Sequence, residues 1–208
     1  MGQLAPALFT KMSPYCIPEW TTPMGGTLIV VGSAPSLYED LKAAKALRPD
    51  AHVLLINGAA QLVEEAQHML AGHCEKADAF VAARRKKFPH APPILVHASF
   101  RNGLGMPECV THRWRGVATG GTSAWKAVRI GKAMGYSEII LAGCPIDDSG
   151  YAAGESDGIA HSCARIGLGE GRMYHNYRVT FAKRAKEEGR GVYSMSGYSR
   201  ELLGVPPA

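Results

Sequence analysis

Five residues, Thr27-Leu28-Ile29-Val30-Val31, run directly into Gly32-Ser33-Ala34-Pro35-Ser36, and a helical pattern follows from Leu37 to Leu47. Strand, small-residue turn and helix make the first half of a mononucleotide-binding βαβ unit. A second stretch, Thr119 to Asp147 (TGGTSAWKAVRIGKAMGYSEIILAGCPID), carries the same parts in another order. Its turn holds Thr119, Gly120, Gly121, Thr122 and Ser123. Small and apolar positions then recur at helical spacing (Ala124, Ala127, Val128, Gly131, Met134), as a face packed on a sheet requires. Gly135 is a natural left-handed stop for that helix. Ile139-Ile140-Leu141-Ala142 is a short unbroken apolar run, the signature of a strand buried on both faces. It ends on Gly143-Cys144-Pro145, with Asp147 just beyond. The expected fold is therefore α/β and Rossmann-like: a mostly parallel sheet, helices on both faces and a flexible lid segment.

In such sheets a ligand lies beyond the carboxyl ends of the strands. Gly32, Ser33, Ser36, Gly121, Thr122, Ser123, Gly143 and Asp147 are thereby candidate nucleotide-binding residues. Free backbone N–H groups and the helix dipole make a glycine-rich helix N-terminus favourable to anions. Ala34 and Pro35 break the register of a GxGxxG fingerprint, which argues against a standard NAD site.

The rest of the chain fills in the layers. His52 to Ile56 is a second strand, and Asn57 and Gly58 at its tip offer an amide and a close backbone approach to a base or ribose. Gln61 to Leu70 reads as a helix, Ala77 to Ala83 as a short strand and Pro92 to Ser99 as another. Phe100 to Gly116 has no period, and a structureless run of that length inside a compact domain is usually a functional loop. Residues 147–173 form a glycine-rich, lid-like insert. Tyr174-His175-Asn176 then precedes a helix from Tyr177 to Glu188, a strand from Gly191 to Met195 and a short closing helix. Residues 1–26, rich in Pro, Gly and Thr, are expected to form an irregular arm packed on the domain or on a neighbouring subunit, and are compatible with a homo-oligomer. Residues 27–208 form one domain.

Composition narrows the partners. The formal charge of +5 fits a ligand carrying phosphate. Basic residues cluster at Arg84-Arg85-Lys86-Lys87, but no aromatics are interleaved as stacking platforms, so nucleic acid is not indicated. No apolar run approaches the roughly 20 residues that span a bilayer, and no signal peptide is recognisable. The five cysteines lack CxxC spacing and are read as free thiols in a reducing cytoplasm. His68, His73 and Cys74 lie close together without a fourth ligand at zinc spacing, so no metal site is expected. Cys144 before Pro145 has no His-Asp partners in recognisable spacing, which argues against a nucleophile there.

The order of these blocks resembles the bacterial sialyltransferases of glycosyltransferase family 42. It is also similar to the related family that includes archaeal 6-hydroxymethylpterin diphosphokinases. The blocks that carry the resemblance are VVGSAPSL (30–37), INGAA (56–60), the 119–147 stretch and YHNYRVTFAKRAKEEGRGVYSMSGYSRELL (174–203). The first resemblance implies a metal-independent glycosyltransferase without a cofactor. A nucleotide sugar, with cytidine monophosphate as the expected carrier, would be held by Ser33, Asn57, Thr122 and Ser123. His175 would be the general base toward a small-molecule or glycan acceptor, since an imidazole suits that task at neutral pH. Tyr151 matches one of two tyrosines that stabilise the leaving phosphate in the sialyltransferases, and the second position has no tyrosine here. The other resemblance implies diphosphate transfer from ATP with Mg²⁺, for which Asp147 and Asp148 are the carboxylates at hand. A third reading is a nucleotide-binding protein without catalysis.

Overall fold

The protein is described from a computed structural model covering residues 23–99, 106–114, 122–147 and 170–208, with residues 170–175 described by their backbone only. Seven strands form one parallel sheet: β1 (Thr27–Val31), β2 (His52–Ile56), β3 (His68–Ala71), β4 (Leu95–Ser99), β5 (His112–Trp114), β6 (Glu138–Ala142) and β7 (Val192–Ser194). Their order is β5-β4-β3-β2-β1-β6-β7. The order reverses beside β1, which pairs with β2 on one side and β6 on the other. That reversal is the topological switch point at which ligands of doubly wound sheets are bound.

Burial on both faces follows from the strand sequences. Ile29 and Val31 point into one core, packed by α1 (Leu37–Leu47) and α2 (Ala77–Lys87). Leu28 and Val30 point into the other, where α3 (Ser123–Ala133) and α4 (Glu170–Glu188) pack. Helix α5 (Gly197–Leu203) follows the tip of β7. The expected fold class, the bounds of the first two strands and α1, and the stop of α3 at Gly135 (φ +82°) all match the structure. No helix among the described residues is long and apolar enough to cross a membrane.

Three local expectations fail, each for an identifiable reason. Residues 61–70 are not a helix: a single 3₁₀ turn over Asn57–Gln61 gives way to β3. Arg84, only 3% exposed, donates to the carbonyls of Ala60, Val63 and Glu64. A helix would need those of Val63 and Glu64 for its own ladder. Residues 77–83 are not a strand but the start of α2. Its buried positions, Ala77, Phe80, Val81 and Arg84, fall at i, i+3, i+4 and i+7, the period of one helix face. Arg84 therefore leaves the basic cluster at 84–87 and becomes an interior clamp. Finally, α4 begins at Glu170, so Tyr174, His175 and Asn176 lie within the helix and the tail of the 147–173 insert is helical.

The aperiodic 100–116 stretch contains a strand, β5, which the sequence His-Arg-Trp does not advertise. Residues 1–22 of the arm, residues 100–105 and 115–121 and residues 148–169 of the insert lie outside the described residues.

Candidate functional site

Because every strand is parallel, all their carboxyl ends lie along one edge. The turn after β1 meets the turn after β6 there. Gly32 N–H donates to the Ala142 carbonyl at 2.8 Å, and Ala34 N–H to the Gly143 carbonyl at 3.2 Å. A Cβ on Gly32 would stand 2.4 Å from the Gly143 oxygen and 2.6 Å from Cys144 Sγ. Gly143 has φ +62°, and a Cβ on it would meet the Gly32 oxygen at 2.8 Å. Both positions thus require glycine, one for close approach and one for backbone conformation as well. Ser33 and Cys144 are buried in this seam. Burial pushes the Cys144 thiol up to about 12, so it stays protonated at neutral pH and is no nucleophile.

Asp40, on the buried side of α1, ties the seam together, and the sequence reading passed over it. Its Oδ2 accepts from the Gly143 N–H at 2.9 Å, from Ser196 Oγ at 2.5 Å and from Ser36 Oγ at 3.0 Å. Three elements converge on one oxygen: the β6 tip, the β7 tip and the start of α1. Ser36 and Ser196 also touch at 3.1 Å. Beyond Ser196, Ser199 Oγ donates to the Cys144 carbonyl at 2.6 Å, fixing α5 against the same turn. A carboxylate four residues after a serine looks like an ordinary polar helix pair, so only the fold reveals its reach.

A second cluster occupies the tips of β2 and β3. Asn57 adopts φ +49°, a left-handed conformation that Asn tolerates better than most residues. Its Oδ1 accepts from the Gly72 N–H at 2.8 Å and its Nδ2 donates to Ser123 Oγ at 3.3 Å. The amide expected to face a ligand is thus engaged in joining β2, β3 and α3. Lys126 Nζ donates to the Gly72 carbonyl at 3.2 Å. Gly58 is buried in the 3₁₀ turn just after Asn57. Thr122 caps α3, its Oγ1 accepting from the Trp125 N–H at 3.2 Å, and so sets the helix start at the strand-tip edge.

Helix α4 is fixed against α3 from its middle to its end. Phe181 meets Trp125 edge-on at 5.1 Å between ring centroids. Glu188 accepts from Trp125 Nε1 at 3.0 Å and pairs with Arg129 at 2.6 Å and Arg184 at 3.0 Å. Hydrogen bonding from Arg129 holds its carboxyl down at about 2. Position 175 lies six residues before Phe181, roughly 9 Å further along the axis at 1.5 Å per residue. α4 ends near the base of the sheet, so its early turns face the strand-tip edge. Asp147 follows Ile146, which holds φ +56°.

Of the expected site residues, Gly32, Ser33, Ser36, Gly143 and Asp147 belong to the seam or its continuation. Asn57, Gly58, Thr122 and Ser123 belong to the neighbouring cluster. Gly121 and Tyr151 lie outside the described residues, and for His175 only the backbone is described. Among the described residues, no three His, Cys, Asp or Glu side chains are placed to hold a metal ion. His68 sits in β3 with its ring hydrogen-bonded inside the core, and His73 pairs with Glu75 at 3.3 Å.

No family model matches the sequence, and no curated protein matches it. Solved structures do. The sialyltransferase CstII from Campylobacter jejuni, in complex with the substrate analogue cytidine-5'-monophosphate, superposes with a TM-score of 0.60 at 14% identity, covering 89% of this chain and 86% of that one. The monofunctional alpha-2,3-sialyltransferase Cst-I from Campylobacter jejuni gives a TM-score of 0.57 at 13% identity, covering 94% and 84%. The class defined is a Rossmann-like α/β fold, which these sialyltransferase structures share. The similarity at this identity is one of fold.

Proposed function

We propose that the protein is a metal-independent glycosyltransferase-like enzyme that takes a nucleotide sugar, with CMP as the carrier. The observation that carries the reading is the Gly32–Gly143 seam at the switch point, closed so tightly that neither glycine admits a Cβ. It lies beside a capped helix start at Thr122, on a fold shared with sialyltransferases solved with CMP. The two glycines bring the β1 and β6 tips into contact at the switch point, and the start of α3 supplies N–H groups and dipole for the anion. Asn57, held by Gly72 and Ser123, sets the wall on the β2 side.

In this reading His175 accepts the proton of the acceptor hydroxyl through its neutral imidazole. The oxygen forms a bond to the anomeric carbon of the donor. The bond from that carbon to the phosphate oxygen breaks, and CMP leaves with the electron pair. Tyr151 donates a hydrogen bond to the departing phosphate. Position 175 on the early part of α4, toward the strand-tip edge, supports the assignment of the base.

The test is a thermal-shift screen with CMP, CDP, UDP, GDP, ADP and ATP, each with and without Mg²⁺. A ligand of the native state at about 100 times its Kd stabilises by ~2.7 kcal/mol. The expected result is stabilisation by CMP that does not need metal. A response confined to ATP with Mg²⁺ refutes the glycosyltransferase reading in favour of diphosphate transfer, and no response to any nucleotide refutes the site itself.

A further inference from the structure

Five side chains from four strands and a turn form one hydrogen-bonded line across the inside of the sheet, on the face covered by α3. Trp114 Nε1 donates to His97 Nδ1 at 2.9 Å. His97 Nε2 meets His68 Nδ1 at 3.1 Å, His68 Nε2 meets the Tyr136 hydroxyl at 3.2 Å, and that hydroxyl meets His52 Nδ1 at 2.6 Å. His68 and His97 are buried, at 2% and 0% exposure, and His112 stacks on His97 at 4.9 Å.

The protons on His97 and His68 follow from the first member of the line. An indole N–H can only donate. His97 Nδ1 must therefore be bare, so the neutral ring carries its proton on Nε2 and donates to His68. His68 is then bare at Nδ1 and donates from Nε2 to the Tyr136 oxygen. The tyrosine in turn donates to His52. This assignment satisfies all four contacts and uses the Tyr136 proton, and it requires neutral imidazoles at His97 and His68. A proton added to either ring goes on Nδ1 and places N–H against N–H: against the Trp114 indole at His97, and against the His97 Nε2–H at His68. The line cannot relay protons, because the indole at its end has no lone pair in the plane to receive one.

We propose that this line is an acid-sensitive lock on the β4–β5 edge of the sheet, closed while His68 and His97 are neutral and opened when they take up protons. Burial, with the neighbouring imidazoles, pushes His68 down to about 3 and His97 well below the usual histidine range. Lys45 on α1 pushes the half-buried His52 in the same direction after burial, and burial lowers His112. Among the described residues no carboxylate acts on His52, His68 or His97. The facing surface of α3 and the adjoining strands presents Trp125, Val128, Leu54 and Leu70, which are apolar or uncharged. Groups neutral when folded and protonated when released draw the protein toward the open state from about pH 6.5 downward. The two strands so held lead at their carboxyl ends into 100–105 and 115–121, and the latter joins directly to Thr122. The inference rests on the fold and the ring contacts and stands whether or not the proposed transferase activity does.

Two measurements on the full-length protein test it. Long-range proton–nitrogen NMR of the labelled histidines at pH 7.5 is expected to show His97 and His68 both neutral with the proton on Nε2. A proton on Nδ1 of either ring, or a charged ring, overturns the proposal. Native-state hydrogen exchange between pH 7.5 and 5.0 is expected to show the β4 and β5 amides opening about tenfold more per pH unit for each imidazole released, after correction for intrinsic rates. The β1 and β6 amides are expected to change less. Equal change in all four strands, or none, overturns it. Tyr136→Phe, which keeps the ring and cuts the line at one link, is expected to shift the opening of β4 and β5 at pH 7.5 toward its acid value. Trp114→Phe serves as a second variant, freeing the polarity of the line, and should let His97 populate the Nδ1–H form. If it leaves His97 wholly Nε2–H, the indole does not set the direction and the proposal fails.

Discussion

Replacing Asp40 with alanine removes one oxygen on which three elements depend. The Gly143 N–H is buried, and leaving such a donor unpaired costs about 1–3 kcal/mol. The hydroxyls of Ser36 and Ser196 also lose a carboxylate acceptor, though they still touch each other and lie partly open to water, so about 0.5 kcal/mol each is a fair discount. The sum is ~3 kcal/mol. For a chain of this size that corresponds to a fall in Tm of about 6–12 °C. Asp40→Asn keeps one acceptor oxygen, enough for the Gly143 N–H, and is expected to lose about half as much. Urea unfolding of both variants and of Ser36→Ala and Ser196→Ala measures the effects under one protocol. A double-variant cycle of Asp40→Asn with Ser196→Ala isolates their coupling. If Asp40→Ala unfolds within 0.5 kcal/mol of the parent, the carboxylate does not hold the strand tips and the reasoning is wrong.

Other expectations follow from the same contacts. Gly32→Ala should cost about 1–3 kcal/mol from overpacking against Gly143 and Cys144 and should abolish any CMP-induced thermal shift; an unchanged shift would separate the seam from the ligand site. His175→Ala should leave the CMP-induced shift intact while removing transfer to an acceptor in a product assay; retained turnover would exclude His175 as the base. Glu188 has its carboxyl held down by Arg129, so it contributes stability above about pH 4.5, and that contribution is lost as pH falls toward 2. Glu188→Gln should flatten the acid limb of a pH–stability profile in that window, leaving the histidine-dependent slope nearer pH 6 in place. Arg84→Met, which keeps the stem but frees the carbonyls of Ala60, Val63 and Glu64, should loosen residues 57–64 first, read as faster exchange of their amides.

The sequence declared the fold where strands are buried on both faces, because Thr27–Val31, His52–Ile56 and Glu138–Ala142 are short runs between turn signals. It misled where a tertiary contact outbid local pattern. The stretch 61–70 has helical residues, yet Arg84 from another element takes its carbonyls and β2 and β4 claim its last three residues for β3. Strand β5 pairs through three residues with no apolar period, so nothing local marks it. At the site, glycine turns and the threonine cap were legible because conformation itself demands those residues. Asp40 was not, since two of its three partners, Gly143 and Ser196, are 103 and 156 residues away.

The reversal of strand order beside β1 has a kinetic side. β1 must wait for β6, which is synthesised 111 residues after it, since Thr27 lies opposite Glu138. The pairing of β1 with β2 closes a loop of only about two dozen residues, so the left half of the sheet is the cheaper to assemble. The Gly32–Gly143 seam belongs to neither half alone. It comes into being when they meet, so the crevice that would receive a ligand is among the last parts of the chain to acquire its shape.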